Sequence, residues 1–286
     1  MQINKINLTP ALYVIATPIG NLKDITIRAL ETLASLDVLF CEDVRVTGKL
    51  LKHYDLQVKL NTYNDFSKQE TRDYILEQVR NGKAVGLVSD AGTPLISDPG
   101  YKLVRFLLEN NIKIIPVTGA SSVITSLSVS GLPSDSFYFA GFLPSTKEAR
   151  RNKIEEFSNL KTTIILFERA ERVFDLTQDF IEVLGDFNCC LAREITKLYE
   201  EFKLQKLSEL NLFLQENKIK GECVLLIDTR ENFAQEKQNN LENLDEFLIN
   251  LMSKYKLSEA SEIAANKTGI KKKKIYSRLL ELRGVE

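Results

Sequence analysis

Short apolar runs alternate with amphipathic stretches along the first 118 residues of the chain. Runs rich in β-branched residues predict strands at 12–16, 38–41, 84–89 and 113–117. Apolar positions spaced three or four apart predict helices at 26–36, 46–53, 67–81 and 99–110. Ser67 and Glu70 fit a capping box at the start of the third helix. Nearly continuous apolar strands between helices predict a mostly parallel sheet covered on both faces.

The next part of the chain repeats this alternation with one difference. Strands are predicted at 137–142, 162–168, 188–193, 198–204 and 221–228, and helices at 121–130, 147–158, 170–184 and 206–216. Only the residues EITK separate the runs 188–193 and 198–204, which predicts an antiparallel hairpin. The second sheet is therefore expected to be mixed.

A polar stretch at 229–240 interrupts the apolar periodicity and is predicted to be a linker. Helices are predicted beyond it at 241–254, 258–267 and 271–283, the last two separated by Thr268 and Gly269 in the manner of a helix-turn-helix. At roughly 100–200 residues per domain, a chain of this length accommodates two domains and an appendage. We predict an α/β fold with domains at 1–118 and 119–230 and a helical tail at 241–286.

The charge of the chain limits how it can bind nucleic acid. The formal net charge is −1, so any contact with nucleic acid must come from local basic patches.

The four cysteines lie in apolar runs without paired spacing, which predicts buried, reduced thiols and no metal site: Cys41, Cys189, Cys190 and Cys223. The first residues lack the pattern of a signal peptide, and no apolar run approaches a membrane span. We therefore expect a cytoplasmic protein without membrane contact.

The segments that follow the predicted strands are rich in Gly, Pro, Ser, Thr and Asp. They lie at 17–21, 42–48, 89–100 and 118–122. Ligands of open α/β sheets bind at the carboxyl ends of the strands, where such loops meet. The motifs GxGxxG and GxxxxGK[ST] are absent, which disfavours a nicotinamide enzyme or a P-loop ATPase. A ligand without phosphates, such as S-adenosylmethionine (SAM), fits these loops better.

Helix capping is the alternative explanation for part of these loops. Asp98, followed by Pro99, and Ser121 both stand where helix N-caps are expected. Asp90 directly follows a buried strand and precedes no immediate helix, so a role in ligand binding explains it better.

Six segments in this order carry a resemblance to a known family: LYVIATPIGNLKDITIRAL, CEDVRVTGKLL, LVSDAGTPLISDPGYKLV, SGLPSDSFYFAGFLP, REITKLYEEF and KGECVLLI. Over about 10–228 the chain resembles the tetrapyrrole-methylase-like family, and within it the branch that methylates a cytidine ribose in small-subunit ribosomal RNA. The chain departs from the pattern at Val44, Phe66 and Glu171, where relatives often carry Thr, His and His.

This resemblance implies two α/β domains with SAM, the methyl donor, in the cleft between them, without a metal. It also implies a homodimer and a target 2′-hydroxyl on a cytidine in the decoding region of 16S rRNA, with the assembled small subunit as the expected substrate. Carried over position by position, the implied SAM pocket consists of Pro18, Asp90, Gly92, Thr93, Ser121, Ser122, Phe167, Ala192 and Gly221.

A ribose hydroxyl is a poor nucleophile, so a base should accept its proton during methyl transfer. The only histidine, His53, stands at a helix end, where a cation complements the helix dipole. Charged residues after two predicted strands are better candidates: Glu42, Asp43 and Arg45 after the second strand, and Arg193, Glu194 and Lys197 at the start of the hairpin turn. Salt bridges within each group are the alternative. We hypothesise that Asp43 and Arg45 position the ribose and its phosphate.

Two basic segments are candidates for RNA contact. Arg150 and Arg151 belong to the run KEARRNK, and the last predicted helix begins with Lys271, Lys272, Lys273 and Lys274. A solvated helix face is the alternative for each segment. Two other functions also stay open: methylation of a tetrapyrrole or corrin precursor, which would not need the basic tail, and a ribosome-binding module without catalysis.

Overall fold

The computed structural model describes residues 3–230, 244–268 and 270–284. The chain divides into two compact units, Met1–Asp228 and Thr229–Glu286. The first unit holds two five-stranded sheets and the second holds helices. The predicted α/β class with a helical tail is confirmed, whereas the domain boundary at residue 118 stays a prediction.

The first sheet is entirely parallel, with the strand order β3-β2-β4-β1-β5. Its strands are β1 (Ala11–Ile15), β2 (Val38–Cys41), β3 (Lys59–Thr62), β4 (Ala84–Val88) and β5 (Ile114–Val117). The connecting helices are α1 (Ile27–Ser35), α2 (Val44–His53), α3 (Gln69–Arg80) and α4 (Tyr101–Glu109). Alternate strand residues pack into separate apolar clusters, so both faces of the sheet are covered.

The second sheet is mixed, with the order β6-β7-β10-β8-β9, in which only β6 and β7 run parallel. Its strands are β6 (Phe137–Phe142), β7 (Thr163–Arg169), β8 (Asn188–Arg193), β9 (Glu201–Lys206) and β10 (Glu222–Asp228). Its helices are α5 (Ser122–Val129), α6 (Lys147–Glu155), α7 (Ala170–Val183) and α8 (Leu207–Glu216). One face packs against α6, α7 and α8, and the other packs against α5.

The second unit contains three helices in its described residues: α9 (244–252), α10 (Leu257–Thr268) and α11 (Lys272–Leu282). They share an apolar cluster centred on Leu248, Ala264 and Leu279. Arg278 on α11 forms two hydrogen bonds of 2.9 and 2.7 Å with the carboxylate of Asp245 on α9. Of the predicted linker at 229–240, residues 231–240 lie outside the described residues.

Several local expectations are wrong. β3 is missing from the predicted strands, because the exposed edge sequence KLNT lacks a strong apolar pattern. α3 begins after Lys68, and Ser67 instead accepts a hydrogen bond from the backbone of Asn64, so the capping box does not form. Gly100 rather than Asp98 is the N-cap of α4. The hairpin is antiparallel as predicted, but its second strand begins three residues later than predicted.

None of the helices in the described ranges combines the length and the apolar character needed to cross a bilayer.

Candidate functional site

The loops after β1, β4 and β5 are joined by hydrogen bonds at the carboxyl edge of the first sheet. Thr17 and Gly92 exchange two backbone hydrogen bonds, with N···O distances of 2.8 and 3.0 Å. The hydroxyl of Thr93 donates to the carbonyl oxygen of Ala120 at 3.1 Å. These bonds fix three of the four predicted ligand loops in one arrangement.

The loop after β1 also contacts the second sheet, so the loops at the carboxyl edge of the first sheet meet one face of the second. Ile19 packs into the apolar cluster that contains Phe167 and Ala192. The backbone N–H of Asn21 donates to the hydroxyl of Thr196 in the β8–β9 turn at 3.0 Å. Phe167 and Ala192 are therefore on the sheet face that meets the first-sheet loops, and their contact with SAM stays a prediction.

Glycine is needed at two of the predicted pocket positions for reasons within the chain. Gly92 has φ of +75°, and a Cβ there would lie 3.2 Å from the side chain of Ile19. Gly221 has φ of +99°, and a Cβ there would overlap the carboxyl group of Glu194. Gly92 thus allows the first and third loops to approach, whereas Gly221 accommodates a side chain of the hairpin turn.

Hydroxyl groups at the cleft offer hydrogen-bonding capacity that the fold does not use. The hydroxyl of Thr17 is buried and has no hydrogen-bond partner within the described structure. Ser121 is the N-cap of α5 but forms no side-chain cap, and Ser122 follows it; both are half-buried. Pro18 is buried beside Thr17. A buried hydroxyl left unsatisfied is costly, so Thr17 is a candidate for a hydrogen bond to a ligand.

Carboxylates converge at the ends of the central strands of the first sheet. Cys41 pairs with Val88 and with Thr62, so the residues that follow β2, β4 and β3 lie at the same level. These carboxylates belong to Glu42, Asp43, Asp65, Asp90 and Asp98. Asp90 accepts a hydrogen bond of 3.0 Å from the backbone N–H of Asp43, which joins the loops after β4 and β2.

The carboxylate of Asp43 forms hydrogen bonds and an ion pair with Arg45. It caps α2 by accepting from the backbone N–H of Arg45 at 2.8 Å, and it forms a bidentate pair with the guanidinium of Arg45. These contacts lower the pKa of Asp43 to about 2. The salt bridge weighed as an alternative is present, and Asp43 is a weak base.

Glu42 has the opposite environment. It is half-buried, and no hydrogen bond or ion pair to its carboxylate is found among the described residues. Burial raises its pKa, and the negative charges of Asp90, Asp98, Asp65 and Asp43 raise it further. Of the candidate catalytic carboxylates, Glu42 is the one best suited to accept a proton.

The second charged group does not face the cleft as one unit. Arg193 lies opposite Cys223, which packs under α6, α7 and α8, whereas the neighbouring Ala192 is buried against α5 on the other face. Arg193 pairs with Glu201 at 3.1 Å. Consecutive strand residues point to opposite faces, so the side chain of Arg193 leaves the sheet on the face opposite Ala192, and its catalytic role stays a prediction.

Glu194 and Lys197 stabilise the β8–β9 turn. The carboxylate of Glu194 accepts from the backbone N–H of Glu222 at 3.1 Å and from the ammonium of Lys197 at 3.0 Å. These contacts lower the pKa of Glu194, so it is a weaker base than Glu42. A Cβ on Gly20 would lie 2.6 Å from the side chain of Lys197, which places this lysine against the loop after β1.

The residues predicted to contact RNA differ in their burial and in their ion pairs. The guanidinium of Arg150 is buried and pairs with the carboxylate of Asp179 at 2.7 Å, so the prediction that it contacts RNA is wrong. Arg151 is partly exposed and pairs with Glu182. In the second unit, Lys272 pairs with Glu262 at 2.7 Å, while the other three lysines of the run are exposed on α11 and its N-cap.

Two residues near the cleft are absent from the predicted site. The buried hydroxyl of Thr17 has no sequence signal beyond its position after a strand. Asp65 follows β3 at the same sheet edge, so recognition of that strand would have identified it. The described ranges contain no group of three or more His, Cys, Asp or Glu side chains that could hold a metal ion.

Comparison with known proteins identifies the family of this chain. Residues 11–211 match the family model described as Tetrapyrrole (Corrin/Porphyrin) Methylases. The chain is 45% identical to ribosomal RNA small subunit methyltransferase I of Rickettsia prowazekii, over 94% of this chain and 96% of that one. It is 42% identical to the protein of the same name from Vibrio cholerae, over 96% of each chain.

Two solved structures share the fold. Cobalt precorrin-4 methyltransferase superposes with a TM-score of 0.57 and 18% identity, covering 76% of this chain and 94% of the other. Uroporphyrin-III C-methyltransferase from Thermus thermophilus, in its complex with S-adenosylhomocysteine, gives a TM-score of 0.54 and 16% identity, covering 78% and 99%. The chain therefore belongs to the tetrapyrrole (corrin/porphyrin) methylase family, in the group of its ribosomal RNA small subunit methyltransferase I relatives.

Proposed function

We propose that this protein transfers the methyl group of SAM to the ribose 2′-hydroxyl of a cytidine in the decoding region of 16S rRNA. The observation that carries the proposal is the similarity to small-subunit rRNA methyltransferases over nearly the full length of the chain. The assembled small subunit in the cytoplasm is the proposed substrate, and a homodimer is the proposed active form.

The residues at the cleft fit SAM in their chemistry. SAM has a positively charged sulfonium, an adenosine and an amino-acid moiety, and these are recognised by carboxylates, hydroxyls, backbone groups and apolar surfaces. The site offers them as Asp90, Thr93, the α5 serines, the loop backbone around Gly92, and the apolar ring of the half-buried Phe167. The unpaired buried hydroxyl of Thr17 is the feature most directly explained by a ligand.

The reaction needs alignment and one proton acceptor. SAM supplies the electrophile: the ribose oxygen bonds to the methyl carbon while the carbon–sulfur bond breaks, and the electron pair remains on sulfur. Glu42 accepts the hydroxyl proton, because its carboxylate is unpaired and its pKa is raised. The Arg45 side chain is 85% exposed beside Asp43, and this pair positions the ribose and its phosphate.

RNA contacts outside the cleft are proposed for cations that remain accessible. Arg151 is one, and Lys271, Lys273 and Lys274 on the second unit are the others. Lys272 contributes charge to the same helix end, although its ammonium pairs with Glu262. Each contact with a phosphate would make binding weaker as salt increases.

The function is tested with methyl-labelled SAM and small ribosomal subunits from cells that lack this gene. We expect label in a 2′-O-methylated cytidine after nuclease digestion and mass spectrometry of the nucleosides. Subunits from cells that carry the gene are the control and should accept little label, because their site is already methylated. Deproteinised 16S rRNA, tested in parallel, should be a poorer substrate than the assembled subunit. Label in no nucleoside, with SAM still bound, would redirect the proposal to a tetrapyrrole substrate or to ribosome binding without catalysis.

Thr17→Val tests the methyl-donor site without the RNA. Valine has nearly the same shape but lacks the hydroxyl, so the fold loses no internal hydrogen bond at this position. We expect SAM affinity, measured by calorimetry, to fall about 5- to 150-fold through the loss of one buried hydrogen bond of about 1–3 kcal/mol, with an unchanged or higher unfolding midpoint. Thr32→Val is the matched control, because its hydroxyl donates to Arg28 within α1 at 2.6 Å. Equal SAM affinity for Thr17→Val and the parent protein would show that the hydroxyl does not contact the methyl donor.

A further inference from the structure

The segment after β3 forms a turn that is held from several sides. The backbone N–H of Phe66 donates to the side chain of Asn64 at 3.0 Å, and the N–H of Asn64 donates to the hydroxyl of Ser67 at 2.9 Å. The guanidinium of Arg72 donates to the carbonyl oxygen of Ser67 at 3.1 Å. The carboxylate of Asp65 accepts from the backbone N–H of Gly100 at 3.2 Å. The turn is therefore attached both to α3 and to the loop after β4.

This turn presents an aromatic ring to solvent. The side chain of Phe66 is 94% exposed, the highest fraction among the exposed large apolar residues of the described chain. Single exposed apolar residues are common on protein surfaces. This one differs because its backbone is held by hydrogen bonds within the turn, so the ring starts from a defined position on the surface.

Two cations belong to the same turn or contact its backbone. Lys68, two residues on, is exposed and forms no ion pair within the described residues. Lys102 on α4 contacts the turn, because its ammonium donates to the carbonyl oxygen of Asp65 at 3.2 Å. An aromatic ring flanked by cations is the combination by which proteins bind single-stranded nucleic acid, with a base stacked on the ring and a phosphate beside the cation.

The turn is also close to the proposed proton acceptor. Asp65, adjacent to Phe66, is near enough to Glu42 for its charge to act on that carboxylate. The cluster of carboxylates repels phosphates, so a nucleotide that crosses this sheet edge is better held through its base. The cations at the outer side of the turn suit the phosphate next to that base.

We infer that Phe66, Lys68 and Lys102 form a subsite for single-stranded RNA, in which Phe66 stacks on an unpaired base next to the target nucleotide. The inference rests on the proposed function for the identity of the RNA. The contact itself is independent of methyl transfer and can be measured without it.

The chain contains no tryptophan, so Phe66→Trp introduces a single reporter in the subsite itself. We expect its fluorescence to be quenched when a short oligocytidylate or small ribosomal subunits from cells lacking this gene are added. Leu108→Trp is the matched control: it is an exposed position near the end of α4, at the opposite edge of the first sheet, and it should not respond. Equal quenching of both reporters, or of neither, would overturn the inference.

Kinetic variants separate stacking from simple apolar contact. Phe66→Leu and Phe66→Ala are expected to lower kcat/KM for small subunits about 5- to 150-fold, as loss of one stacked base does, while SAM affinity is unchanged. Phe66→Trp should retain the activity of the parent protein. If Phe66→Leu keeps parental kcat/KM, the ring does not stack on the substrate.

Lys68→Ala tests the phosphate contact through its salt dependence. The slope of log affinity for oligocytidylate against log salt should become shallower by about 0.7, the change expected when a protein binds a single strand through one phosphate fewer. Lys113→Ala, at the amino edge of β5, should leave the slope unchanged. A slope unaffected by Lys68→Ala contradicts the phosphate contact.

Two more outcomes would change the assignment of the ring or of the function. If the fluorescence of the Phe66→Trp variant changes with protein concentration in the absence of RNA, the ring belongs to a contact between two copies of the chain and the inference is overturned. Quenching by RNA together with no methylation of any subunit preparation would keep the subsite and reject the proposed function.

Discussion

Glu42→Gln is expected to lower kcat about 10²- to 10⁴-fold, the usual contribution of a general base. Glutamine has the shape of glutamate but cannot accept the proton of the ribose hydroxyl. Affinity for SAM and KM for small subunits should change little, because the unpaired carboxylate of Glu42 holds no other part of the described protein in place. Single-turnover methylation of subunits, with SAM binding measured separately, distinguishes the two effects.

Asp43→Asn is the comparison for this result. Asp43 is paired with Arg45 and has a pKa of about 2, so its loss should raise KM through poorer positioning and leave most of kcat. A Glu42→Gln variant with parental kcat, or an Asp43→Asn variant with the larger loss of kcat, would remove Glu42 as the base.

The pH dependence follows from the same geometry. A base must be ionised to act, so activity should fall as pH drops through the pKa of Glu42. Burial and the nearby carboxylates raise this pKa, so the acidic limb of kcat lies above the pH at which an ordinary glutamate titrates. Asp98→Asn removes one of the negative charges and should shift the limb to lower pH. A limb that does not move would show that another group titrates.

Arg150→Ala is expected to cause the largest loss of stability, about 3–5 kcal/mol in the free energy of unfolding. Arg150 is 4% exposed and Asp179 is 1% exposed, and the guanidinium of Arg150 forms two contacts of 2.7 Å with Oδ2 of Asp179. Without the arginine, the carboxylate of Asp179 stays buried with only the longer contact of 3.5 Å to Arg151. Chemical denaturation followed by circular dichroism measures the difference.

Two controls separate this effect from a general loss of surface charge. Arg105→Ala should leave the free energy of unfolding nearly unchanged, because the side chains of Arg105 and its partner Glu109 are 64% and 60% exposed. The double substitution Arg150→Met with Asp179→Leu should recover most of the loss, since it leaves no buried charge unpaired. Equal stability of Arg150→Ala and the parent protein would contradict a tightly packed pair.

The sequence predicts the central strands of both sheets because their apolar runs are long and bounded by turn residues. It does not predict β3, an edge strand whose polar residues carry no clear period. Without β3, nothing in the sequence places the segment 63–67 at the carboxyl edge of the first sheet. Asp65 and Phe66 are therefore parts of the candidate site that only the structure reveals.

For the site, the sequence predicts which loops meet but not how individual side chains are used. Glu42 and Asp43 are adjacent acids with similar sequence context, and only their partners in the fold separate a free carboxylate from a paired one. Arg150 and Arg151 are likewise adjacent, and burial of one depends on the position of Asp179 on α7. Arg193 is different, because strand alternation alone could have placed it on the face opposite Ala192.

The strand order of the second sheet sets the time at which the cleft can form during synthesis. β10 is the last strand in the chain but lies between β7 and β8 in the sheet. Before it emerges from the ribosome, β6 with β7 and β8 with β9 are separate two-stranded ribbons, which are marginal in water. The first sheet, complete by residue 117, has no such delay. During synthesis, all strands of the first sheet are therefore available well before the second sheet can join its two halves through β10.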